Sequence, residues 1–168
     1  MDAGLLLARL VLGVLMAAHG TQKLLGWFGG YGIAGTAGFF EALGFRPGRL
    51  FATTAAVTEI VSGLLLALGL FGPVGGALMV SVMVVAAVSV HWPHGVFASA
   101  NGIEVPLLYG VGAAALTLTG PGAYSLDALL GLTTLWTPEV SWIALAIGVV
   151  GGVANLAIRR PAAATATA

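Results

Sequence analysis

With 168 residues, a formal net charge of +0, 59% apolar residues and only 7% charged ones, the chain lacks the groups that keep a domain in water, where about a quarter of residues are charged. Mean hydropathy is +1.05, so the solvent this sequence is built for is lipid. The charge balance excludes an electrostatic nucleic-acid binder. The absence of cysteine excludes self-contained dithiol exchange and cysteine-ligated iron–sulfur clusters.

The chain reads in order as five apolar spans. Span 1 runs from about Gly4 to Leu24. Asp2 precedes it, Arg9 interrupts it and the polar run HGTQK follows, so it is expected to be a retained helix rather than a cleaved signal, which needs a basic start and a small-residue cleavage site. The loop from Gly26 to Gly48 is rich in glycine, but Phe39, Phe40 and Leu43 recur at helical spacing. This predicts a short interfacial helix over Thr36 to Leu43, with Trp27, Phe28 and Tyr31 as aromatic anchors at the membrane surface.

Span 2 runs from about Leu50 to Phe71 and ends at Gly72-Pro73, and span 3 runs from about Val74 to Trp92 and is stopped by Pro93. Span 4, about Val105 to Thr119, is short for a bilayer that takes ~20 apolar residues and ends at Gly120-Pro121-Gly122. Span 5 runs from about Val140 to Ile158 and is closed by Arg159-Arg160-Pro161, after which residues 161–168 read as a disordered tail. The organisation expected is a four-span domain over 1–130, a linker and extra transmembrane helix over 131–160, and the tail. The fold class is all-α, a polytopic membrane helical bundle.

Five spans place Lys23, Arg46, Arg49, Arg159 and Arg160 on one face and leave no Lys or Arg in the loops of the other. An excess of basic residues marks the cytoplasmic side, so the N-terminus is expected outside and the C-terminus inside. Lys23, Arg46 and Arg49 are too few for a polybasic lipid patch, which needs about 4–8 basic residues. Gly148 and Gly152 form a small-xxx-small pair for close docking of span 5, on the bundle or on a second subunit.

An ionisable side chain within a span is costly and is a candidate functional group. Arg9, Gly13, Gly20 and Lys23 share one helical stripe, flanked by His19. Glu59 enters span 2 about nine residues from Leu50, ~13 Å deep at 1.5 Å per residue. Counted this way Arg9 and Glu59 lie at similar depth, and an ion pair between them is expected, either to fix helix register or to form a proton or substrate site. His91, His94 and Glu104 fall on the same membrane face as His19 and Lys23. A haem held by two histidines, or a metal held by His19, His91 and Glu104, is a minor alternative to a polar pocket, because those histidines lie near the interface.

The run RLVLGVLMAAHGTQKLLGWFGGYGIAGTAGFFEALGFRPG, followed by TEIVSGLLLALGLFGPVGG, VHWPHGVF, NGIEVPLLY and GPGAYSLD, resembles the DoxX family of small bacterial membrane proteins from about Leu5 to Leu130. The resemblance implies a four-helix core in the bacterial plasma membrane and a loose association with quinone, thiosulfate and oxidative-stress chemistry. It carries Arg9, His19, Gln22, Lys23, Glu59, His91 and Glu104 over as candidate substrate- or quinone-binding residues. The segment from Val140 to Ile158 is extra to a four-span member. With no redox-active side chain of its own, such a subunit would take electrons from a bound cofactor, a quinone in the first instance, or from a soluble redox partner; self-association is a further expectation. A small-solute transporter and a membrane scaffold recruiting soluble redox enzymes are the competing functions.

Overall fold

The computed structural model describes residues 2–160, and the tail read above as disordered lies outside them. Every regular element among the described residues is helical. Helix α1 is Asp2–Leu25, α2 Gly32–Ala42, α3 Gly48–Leu68, α4 Val74–Ala86, α5 Glu104–Thr119, α6 Leu126–Leu129 and α7 Pro138–Ala157. Helix α4 continues through a π-helical turn, Ala87–His91, and a 3-10 turn, Trp92–His94. Four helices are long and apolar enough to cross a bilayer: α1, α3, α4 with its continuation to His94, and α7. Helix α5, with 16 residues, spans only ~24 Å at 1.5 Å per residue.

Helices α1 and α3 are antiparallel and meet through glycine. A Cβ at Gly13 would collide with the carbonyl of Gly63 and with Ala67, and one at Gly20 with the carbonyl of Ala56 and with Ile60. In lipid no hydrophobic effect pulls helices together, so close backbone approach supplies the contact. The buried stripe of α1 is Arg9, Gly13, Met16 and Gly20; it shares Arg9, Gly13 and Gly20 with the stripe expected from the sequence, gains Met16, and leaves Lys23 half-buried at its end. Met16, Leu66, Met79, Tyr109, Ala113 and Leu145 form the centre of the core, one or more from each long helix.

The interfacial helix starts four residues earlier than expected, at Gly32. Its glycines do not break it because its buried edge is pinned from both sides: Thr36 Oγ1 donates to the Lys23 carbonyl (3.2 Å) and the Gly48 amide donates to Glu41 (3.1 Å). Trp27, Phe28 and Tyr31 stand exposed beside it, as amphipathic anchors at a headgroup boundary do. Helix α7 docks within the bundle. A Cβ at Gly148 would meet the backbone of Ala77, and one at Gly152 would meet Ser81 and Val84 of α4. The amide of Arg160 donates to the carbonyl of Gly44 (2.8 Å). This brings the terminal arginines to the end of the bundle that also carries Arg46 and Arg49.

The opposite end is held by two buried charges. Arg9, 2% exposed, donates through its two terminal nitrogens to the carbonyls of Pro121 and Tyr124. Asp127, 0% exposed, accepts from the amides of Phe71 (2.9 Å) and Gly72 (2.6 Å). The loop after α5 therefore folds in to the level of Arg9, and this is why α5 stops short. Removing Arg9 would leave the carbonyls of Pro121 and Tyr124 unpaired, and a buried polar group left without a partner costs about 1–3 kcal/mol. Arg9→Ala is expected to lower the thermal transition in detergent far more than Arg49→Ala at the exposed opposite end; equal shifts would count against the latch.

The arrangement also makes orientation testable in a chain without native cysteine. In intact bacterial cells, Leu130→Cys at the α6 end is expected to react with an impermeant maleimide and Arg159→Cys to be protected. The reverse pattern would invert the orientation argued from the basic residues.

Candidate functional site

The expected Arg9–Glu59 pair does not form. Glu59, 3% exposed, is held by Lys23, whose Nζ lies 2.8 and 2.6 Å from its two carboxylate oxygens. The reason is register. Gly13 faces Gly63 and Gly20 faces Ala56, so Glu59 is level with Ala17, and Arg9 is level with Ala67. That leaves Arg9 and Glu59 about eight residues, ~12 Å, apart along the helices. Direction matters as much. Helical side chains lean toward the N-terminus of their own helix. Lys23, near the end of α1, therefore leans inward to the bundle centre, while Glu59 on antiparallel α3 leans back toward it. Arg9 and Glu59 lean away from each other.

Two cavities meet at this ion pair. One, of about 230 Å³, lies between α2, α3, α4 and α7. Its walls are largely apolar, with Phe39, Phe40, Phe45, Phe51, Val82 and Val85 among them, and its polar lining includes Lys23, Thr58, Glu59, Ser89, His91 and Asn155. The other, of about 100 Å³, opens between α1, α4 and α5 and is lined by His19, Lys23, Glu59, His91 and Tyr109 with Met16, Met83 and Pro106. Lys23, Glu59, Ala86 and His91 belong to both. We call the first the chamber and the second the crevice.

His91 closes the π-helical turn of α4, an insertion that shifts the side chains after it and is frequent at functional sites. Its Nδ1 is 2.8 Å from the Asn101 carbonyl. A carbonyl only accepts, so Nδ1 is the donor in this contact, and Nε2 is the ring nitrogen left to meet a ligand. His19 stands edge-on to Tyr109, with ring centroids 5.8 Å apart.

Four of the residues singled out in the sequence are thus brought together: His19, Lys23, Glu59 and His91. Three are not. Gln22 donates from Nε2 to the Phe28 carbonyl (3.1 Å) and fastens the loop after α1. Glu104 accepts from the Ala98 amide (2.7 Å) and organises the α4–α5 connection. Arg9 lies at the far end. Sequence reasoning missed Tyr109, Asn155 and Asp127. Tyr109 is the one phenol inside a span, which is the signal that could have found it; Asn155 could have been found as the one amide in span 5. Asp127 sits in a loop of ordinary polarity and gave no signal of its burial.

A family model for DoxX matches residues 4–92, more than half of the chain. Helices α1 to α4 and every residue of the ion-pair cluster except Tyr109 fall inside it. The chain belongs to the DoxX family and is a multi-pass membrane protein. Neither a curated protein nor a solved structure gives a match. The stretches NGIEVPLLY and GPGAYSLD, which extended the resemblance to about Leu130, lie beyond the matched residues.

The pairing is open to a double-mutant cycle. Lys23→Met and Glu59→Gln singly each strand the other partner, and a broken buried pair costs about 3–5 kcal/mol. The double variant is expected to recover a large part of that loss, read as the unfolding midpoint in detergent. Arg9→Gln combined with Glu59→Gln is expected to be additive, as for sites without shared partners.

Proposed function

We propose that this protein is a redox-associated membrane subunit whose chamber binds a quinone-type ring. The observation that carries the reading is the composition of the cavity: about 230 Å³ walled largely by aromatic and aliphatic side chains, with a few polar groups, Lys23, Glu59 and His91 among them. Ligand sites of this composition use the apolar wall for affinity and a few polar groups for orientation. The ammonium of Lys23 would donate to a ring carbonyl, and Nε2 of His91 would accept from a ring hydroxyl. The chain itself contributes no redox-active side chain, so electrons would pass between the ring and a soluble partner protein at the inner face. The quinone- and thiosulfate-linked, oxidative-stress setting comes from the family resemblance and belongs to the same proposal, as do the bacterial plasma membrane, self-association and the division into a 1–130 domain with an added fifth helix.

The competing reading is a permeation module for a small solute, favoured by the fact that two cavities abut one ion pair. The readings separate on purification. Protein extracted in mild detergent is expected to retain near-stoichiometric quinone in an organic extract, and Ala55→Phe, which fills the chamber wall, is expected to lose most of it while keeping its elution volume. Purified protein free of quinone that nevertheless carries solute into liposomes would overturn the proposal in favour of permeation.

A further inference from the structure

Two carboxylates are buried in this bundle, and they are held in opposite ways. Asp127 accepts from two backbone amides of one turn, Phe71 and Gly72. Those donors are fixed by the fold and cannot leave, so Asp127 has a structural task. Both oxygens of Glu59 are held by a single lysine ammonium at the end of a flexible four-carbon stem. That stem is half-buried, with the Lys23 side chain 30% exposed against 4% for Glu59. A purely structural pair gains nothing from a partner that can swing away.

Glu59 also stands where two environments meet. On one side is the apolar chamber. On the other is the crevice, of about 100 Å³, ample for water where a single molecule needs about 10–15 Å³ and two to four polar partners. The titratable groups facing Glu59 are Lys23 and His19 from α1, His91 from α4 and Tyr109 from α5; they are the polar partners a water in the crevice would need.

We propose that Glu59 exchanges a proton between the crevice and the chamber. When the Lys23 ammonium swings aside, the carboxylate takes a proton from crevice water, which is restored from solution at the inner face. The neutral acid then gives that proton to an oxygen of the molecule in the chamber, and the carboxylate pairs again with Lys23. No electron passes through Glu59, and Lys23 stays charged throughout. The receiving oxygen is taken from the chamber reading above; the exchange between Glu59 and the crevice is not.

Dicyclohexylcarbodiimide tests this, because it adds covalently to carboxyl groups that carry a proton in apolar surroundings. Membranes containing the full chain are treated at acidic and alkaline pH, and the modified residue is located by mass spectrometry. Glu59 is expected to carry the reagent, several-fold more at acidic pH, with Asp127 unmodified. Lys23→Met is expected to raise labelling at neutral pH several-fold, and Lys23→Arg to keep it at or below the parent level. An unmodified Glu59 at acidic pH in both the parent chain and Lys23→Met overturns the proposal. Decylubiquinone added beforehand is expected to protect Glu59. Labelling of Glu59 that decylubiquinone leaves undiminished supports proton exchange and counts against the quinone chamber, so the two readings fail separately.

Discussion

A carboxylate in the middle of an apolar bundle must be neutralised or it does not stay there. Lys23 neutralises Glu59, and the rest of that half of the molecule is arranged around the contact. The pair forms because antiparallel helices lean their side chains toward each other when the deeper group sits on the returning helix. The glycine contacts at Gly13 and Gly20 bring α1 and α3 close enough for the lysine stem to reach. The same contact supplies the wall between chamber and crevice, so packing, electrostatics and the candidate site depend on one register.

The other half, around Arg9 and Asp127, solves a different problem with different means. There Arg9 and Asp127 are buried without bonding to each other, each spent on backbone groups of loops that would otherwise lie unpaired in lipid. Irregular backbone at membrane depth is tolerated only where such partners exist. The short α5 and the inward-folded loop after it follow from that latch. One end of the bundle is therefore held by backbone groups, and the other holds its buried charge through a single lysine side chain.

The apolar spans were legible because an 18- to 24-residue hydrophobic run has few alternatives to a membrane helix. Glycine-punctuated stripes gave most of the buried face of α1, and the sorting of basic residues gave one common end, which the contact of Arg160 with Gly44 brings together. Pairing was not legible. Counting depth from presumed span ends put Arg9 beside Glu59; the true level is set by which glycines touch, and that choice is made by the packing of both helices at once. Glu104 and Gln22 were polar, near the right face and at plausible positions, yet loop geometry turned each to a backbone partner. Asp127 was invisible because its burial depends on a turn of α3–α4 more than 50 residues away.

Solid-state NMR in lipid bilayers reads the central contact directly, through the dipolar coupling between the side-chain nitrogen of Lys23 and the carboxyl carbon of Glu59. A strong one-step coupling is predicted, since Nζ lies 2.6 Å from the nearer carboxylate oxygen, together with no coupling from the Arg9 guanidinium to Glu59. Coupling of Glu59 to Arg9, or to neither cation, would contradict the register and the divided cavity with it.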